Sequence, residues 1–197
     1  MTAGAKSSRG SRAGTDGTGS PRFDAALGNV LALSYRPELT ITESPGPARL
    51  APHSFALTAD AHLADAHLAS ARLVVLHDPN GQDTWQGTLR IVAYIDADVD
   101  LEVAADPMLP EVGWSWLQEA LDEYGASAAA IGGTVTQVAS RSFGVMGHRP
   151  PEGRIQVRAS WTPRSMDDLP NHAGAWARLI ALAAGLPESS DVSSIGG

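Results

Sequence analysis

The stretch TWQGTLRIVAYIDADV, Thr84 to Val99, alternates apolar and polar residues with a period of two. In an extended chain this puts Leu89, Ile91, Ala93, Ile95 and Ala97 on one face and Thr88, Arg90, Tyr94, Asp96 and Asp98 on the other. A strand patterned in this way sits in a sheet that is covered on one side and wet on the other. Its neighbours in sequence carry the same signal. Upstream, Phe55, Leu57, Ala59 and Ala61 alternate with Ser54, Thr58 and Asp60, and a second strand follows from Arg72 to His77. Asp78-Pro79-Asn80-Gly81 then supplies turn chemistry. Downstream, a strand over Thr134–Phe143 leads through a loop at Gly147–Pro151 to a last one. There Ile155, Val157, Ala159 and Trp161 alternate with Arg154, Gln156, Arg158 and Ser160.

Helical spacing brackets these strands. Ser20-Pro21 opens a helix with Phe23, Ala26, Leu27, Val30 and Leu31 on one stripe. Asp106-Pro107 opens a second, carrying Trp114, Leu117, Leu121 and Tyr124 and stopped by Gly125. A third runs from about His172 to Ala184 on Trp176, Leu179, Ile180 and Ala183. Between Tyr35 and Pro52, four prolines predict a turn-rich connection. The expected fold is α+β: an antiparallel five-stranded sheet covered by helices, in the order α-β-β-β-α-β-β-α. Residues 20–187 form one domain, between a disordered leader over 1–19 and a flexible tail over 188–197.

Composition narrows the chemistry. The 197 residues are 43% hydrophobic and 18% charged, the balance of a globular chain. There is no Cys, which removes disulfides, thiolate metal sites and thiol nucleophiles. No apolar run is long enough to span a bilayer, and no signal-peptide core opens the chain, so the expected address is the cytoplasm. The net charge is −8, with +2 in the first 21 residues and −10 in the rest. An acidic body repels polyanions, which argues against nucleic acid as the main partner of the domain.

Asp96, Asp98, Asp100 and Glu102 recur at period two, an oxygen-rich row that could hold Ca²⁺ or Mg²⁺. The calcium-loop pattern fails, because Leu101 and Pro107 stand where Gly and Glu are required, so no metal or cofactor is expected. Arg90, Arg154 and Arg158, with Tyr94, fall on the polar face. Converging guanidinium forks there would bind carboxylate or phosphate, as a docking site for an acidic protein segment or a small anion; the plainer alternative pairs them with Asp96 and Asp98 in a solvated ladder. His62 and His67, five apart, would lie on opposite faces of one strand. His77 beside Asp78 reads as a hydrogen-bonded strand end. Gly113-Trp114-Ser115-Trp116 lacks the last Gly and the preceding strand of a nucleophile elbow. No catalytic residue is assigned.

Several longer blocks, among them RPELTITESPGPARLAP, LHDPNGQDTWQGTLRIVAY, ADPMLPEVGWSWLQEAL, GGTVTQVASRSFG and IQVRASWTP, resemble an actinobacterial family known as domain of unknown function 3000. The resemblance covers Phe23 to Pro187 and implies a lineage without an assigned activity, cofactor or catalytic residue. It also implies a link to RNA metabolism, through a ribonuclease D-like exonuclease encoded nearby. In element order alone the chain is similar to the type III secretion chaperone-like fold, which includes the YbjN proteins, and this implies small acidic domains that hold protein segments. The reading that follows is a non-enzymatic protein-binding or adaptor domain, able to form a homodimer. The alternatives are an RNA-metabolism accessory protein and a divalent-metal enzyme.

Overall fold

The computed structural model describes residues 20–188. The leader expected over 1–19 lies outside the described residues, as does the expected tail beyond Glu188. Helix α1 spans Pro21–Leu31, and strands β1 (Leu39–Ser44), β2 (His53–Leu63), β3 (Ala66–Gln82) and β4 (Gly87–Val99) follow. A short α2 (Leu101–Ala104) precedes α3 (Leu109–Glu123), then β5 (Ala128–Ser140), β6 (Glu152–Pro163) and α4 (Leu169–Ala183). All strands form one antiparallel sheet in the order β1-β2-β3-β4-β6-β5.

The sheet therefore has six strands, not five. The additional one, β1, lies within the proline-rich connection: Leu39, Thr40, Ile41 and Thr42 alternate between Pro37 and Pro45. Proline cannot donate to a ladder, so it bounds this edge strand without forbidding it. β3 also outruns its expected end. Asp78–Gly81 continues the strand through a break in register between His77 and Gln82, where the Asp78 carboxylate accepts the Asn80 amide at 3.0 Å and Gly81 takes φ +72°. After Val99 the chain turns at Asp100 into α2, so Glu102 leaves the row of strand carboxylates. Helix α3 starts at Leu109, with Pro110 in its first turn, and α4 starts at Leu169, with Pro170 there.

Register explains the core. The row Phe55, Val75, Ile91, Trp161 and the row Leu57, Leu73, Ala93, Ala159 are both buried on one face of the sheet. Helix α4 lies across that face against β3, β4 and β6, flanked by α1 and α3. It is apolar nearly all round because it is enclosed nearly all round, with Trp176, Leu179 and Ile180 sealed from solvent. Small residues let the layers close. Gly133 on β5 lies opposite Ala159, and a Cβ there would come within 2.9 Å of the Ala159 Cα and press on the Arg158 carbonyl. Backbone atoms in a paired strand cannot step aside, so Gly133→Ala is expected to cost about 1–3 kcal/mol in urea unfolding. A variant as stable as the parent would show that β5 shifts freely.

Candidate functional site: the open face of the sheet

The face opposite the helices is the polar one, and its layout follows from register. Across the middle run Thr42, Thr58, Arg72, Tyr94, Arg158 and Thr134, one from each strand in spatial order. The next row is Thr40, Asp60, Ser70, Asp96, Gln156 and Thr136. β4 and β6 are neighbours, as the convergence of the arginines requires, and Asp98 faces Arg154.

The arginines have different fates. Arg90 donates from Nη1 to the Ala130 carbonyl at 2.9 Å and to Thr162 Oγ1 at 3.2 Å, and from Nη2 to Ser160 Oγ at 2.5 Å. It clamps the left-handed turn at Ala130, φ +47°, onto β6. Burial lowers its pKa from the ordinary arginine value. Arg154 lies between two carboxylates, Asp96 at 3.0 Å and Asp98 at 3.4 Å, the solvated ladder. Asp96 also accepts from the Tyr94 hydroxyl and from Gln156 Nε2, both at 3.1 Å. Only Arg158, of the three predicted, has its guanidinium exposed and without an ion pair among the described residues. It lies over the Tyr94 ring, 5.2 Å from the centroid, a cation–π contact that orients it without discharging it.

The carboxylate row divides among other partners. Asp96 and Asp98 turn toward Arg154, and Asp100 sits at the start of α2. Among the described residues there is no group of three or more His, Cys, Asp or Glu side chains placed to hold a metal.

The near-repeat DAHLADAHLA folds into the β2–β3 hairpin, with its tip at Ala64-Asp65, and so brings His62 opposite His67. Their rings meet edge to face at 5.2 Å, which corrects the expectation that five residues separate them onto opposite faces. A bulge beside His62 carries His67 to the polar side, where its Nε2 is 3.0 Å from Ser70 Oγ and 3.4 Å from Asp60. Ser, His and Asp meet here, but Ser70 donates to Asp60 at 2.8 Å and the carboxylate approaches the same imidazole nitrogen as the hydroxyl. A base oriented through its other nitrogen is what nucleophile activation needs, so this is a surface network. Sequence spacing missed the cluster because only the hairpin brings it together. His77, expected as a hydrogen-bonded strand end, is instead buried in a three-ring cluster with Phe23 and His53, their centroids 5.2 and 5.4 Å from its own and 6.1 Å from each other, with its Nδ1 unbonded.

What the fold and this face define is a single-sheet α+β domain with one shielded and one wet side. Residues 20–193 match the family model described as Protein of unknown function (DUF3000), and the chain belongs to that family. No curated protein and no solved structure matches it. No described helix is long and apolar enough to cross a membrane.

Proposed function

We propose that this is a non-catalytic, cytoplasmic adaptor domain that takes an extended strand of a protein partner along β5. One observation carries the reading: β5 is an edge strand of 13 residues, AAAIGGTVTQVAS, with no charge and no proline. Edge strands left free are ordinarily guarded by charge, proline or brevity, because their unpaired amides and carbonyls template further pairing. The opposite edge, β1, is short and bounded by prolines. β5 has a bulge between Ala129 and Gly132, and beyond it residues 132–140 pair with β6 without a break. Exposed apolar residues flank that run, Ile131 on one side and Phe143, Val145 and Met146 on the other.

The polar face adds selectivity to such pairing. Arg158 lies one strand in, opposite Thr134, so an acidic side chain on the added strand would meet it beside Tyr94. Arg90 and Arg154 hold β5, β6 and β4 in place beneath that contact. Backbone pairing supplies affinity and the Arg158–Tyr94 pair supplies preference.

The test is hydrogen exchange on the domain with its partner, purified together from the native cell. Amides in residues 132–140 are expected to gain protection in the complex. The double substitution Thr134→Lys/Thr136→Lys is expected to weaken the complex tenfold or more at an unchanged melting temperature. Protection elsewhere with β5 unaltered would overturn the reading. A stable homodimer protected along β5 would identify the partner as a second copy.

A further inference from the structure

A second cleft lies on the helical side, away from the sheet edge. It encloses about 630 Å³ between the α1–β1 connection, the end of α3 and the outer face of α4. Its walls include Tyr35, Tyr124, Arg36 and Arg178. The Tyr35 hydroxyl donates to the Val30 carbonyl at 3.2 Å, and burial pushes its pKa up to about 12, so it stays a neutral wall. Tyr124 packs closely on α4 because position 174 is Gly; a Cβ there would meet the ring at 2.5 Å.

The two arginines hold consecutive residues of the chain itself. Arg36 donates from Nε to Glu38 and from Nη2 to the Pro187 carbonyl, both at 3.0 Å. Arg178 donates from Nε to Glu123 at 2.9 Å and from Nη2 to Glu188 at 2.8 Å. Glu38 and Glu123 are fixed members of the fold. Pro187 and Glu188 are different: they follow the Gly185 turn that ends α4, and the Glu188 side chain is 80% exposed. A carboxylate held at one exposed end of its side chain contributes little to stability. Its place is informative nonetheless, because one guanidinium reads a main-chain carbonyl and the next reads the following residue's carboxylate. That is how a groove reads an extended acidic peptide.

We propose that this cleft is a binding site for an acidic peptide segment of a protein partner, and that Pro187-Glu188 occupies it in cis. The tail is a resident competitor: a segment in trans must displace a carboxylate whose local concentration is set by its covalent attachment. Two aromatic walls beside two guanidinium groups favour a Pro-Glu pair over an acidic residue in a helix, since proline presets an extended backbone and packs on aromatic rings. This site stands on the cleft alone and is independent of strand addition at β5.

The probe is a labelled, capped peptide Leu-Pro-Glu-Ser-Ser, titrated against the full chain by fluorescence polarisation. Glu188→Ala is expected to raise its affinity about two- to fivefold over the unaltered chain, by removing a competitor held through one exposed ion pair. Adding Arg178→Gln is expected to abolish that gain, and the peptide with Gln for Glu is expected to bind neither chain measurably. Should the double variant fail to fold, the Gln peptide supplies the same discrimination without altering the protein. Equal binding to the parent and Glu188→Ala chains, no binding to either, or indifference to Glu against Gln would overturn the proposal. Thr134→Lys/Thr136→Lys leaves this titration unchanged, so loss of one site is not mistaken for loss of the other.

Discussion

Trp161→Ala is expected to remove about 3–5 kcal/mol of folding stability, a large fraction of what a domain of this size has. Trp161 has no solvent exposure, and it faces Ile91 across the β4–β6 ladder. Truncation would leave an indole-sized void under α4, and a close-packed layer recovers little of it by relaxation. A polar cost adds to the void. The Trp161 indole N–H donates to His172 Nδ1 at 3.0 Å, and His172 is itself fully buried in α4. Removing the donor strands an imidazole nitrogen where water does not reach. Trp161→Phe isolates this second term, because it keeps most of the ring and loses the N–H; it is expected to cost about 1–3 kcal/mol. Urea unfolding of both variants measures the two terms. An alanine variant within about 1 kcal/mol of the parent would mean that the α4 layer collapses onto the sheet without strain.

Most of the sheet was legible from residue pattern, because a strand with one buried face must alternate. β4 and β6 read cleanly for that reason, and their buried residues are the predicted ones. β1 was hidden because Pro37, Pro45, Pro47 and Pro52 outweigh six alternating residues when no partner strand is visible. Pairing with β2 supplies what propensity lacks, as tertiary context does in most strands. The candidate site was legible as a set of residue types but not as a set of pairings. Arg90, Arg154 and Arg158 share a parity on adjacent strands, which sequence does reveal. That Arg90 is committed to Ala130 and Arg154 to two carboxylates depends on a bulge in β5 and on strand order. The edge position of β5 is likewise a property of topology: β6 inserts between β4 and β5, so the neutral strand ends outermost.

Acidification from neutral pH is expected to destabilise the domain, and His172 is the main cause. Burial lowers the His172 pKa from 6.5 to about 4, against a smaller opposing pull from the Asp168 charge. The acceptor role of Nδ1 places the imidazole proton on Nε2, which has no hydrogen-bond partner. The neutral ring is thus the form the fold accommodates, whereas the unfolded chain takes up a proton near the ordinary histidine value. Below that value the unfolded state binds more protons, so stability falls as pH drops, until the folded pKa is reached. The shift amounts to about 3 kcal/mol between pH 7 and pH 4, of which about 2 kcal/mol is gone by pH 5. His77 acts in the same direction, since burial and the neighbouring His53 lower its pKa while Asp78 opposes them. His172→Asn separates the contributions: the amide oxygen can still accept the Trp161 N–H, but nothing at that position titrates. Unfolding free energies of the parent are expected to fall steeply between pH 6.5 and pH 5, and those of the variant to fall by less than half as much. Parallel pH profiles for the two proteins would show that the ring already carries its proton in the fold, and that the buried Trp161–His172 pair is not held neutral by its surroundings.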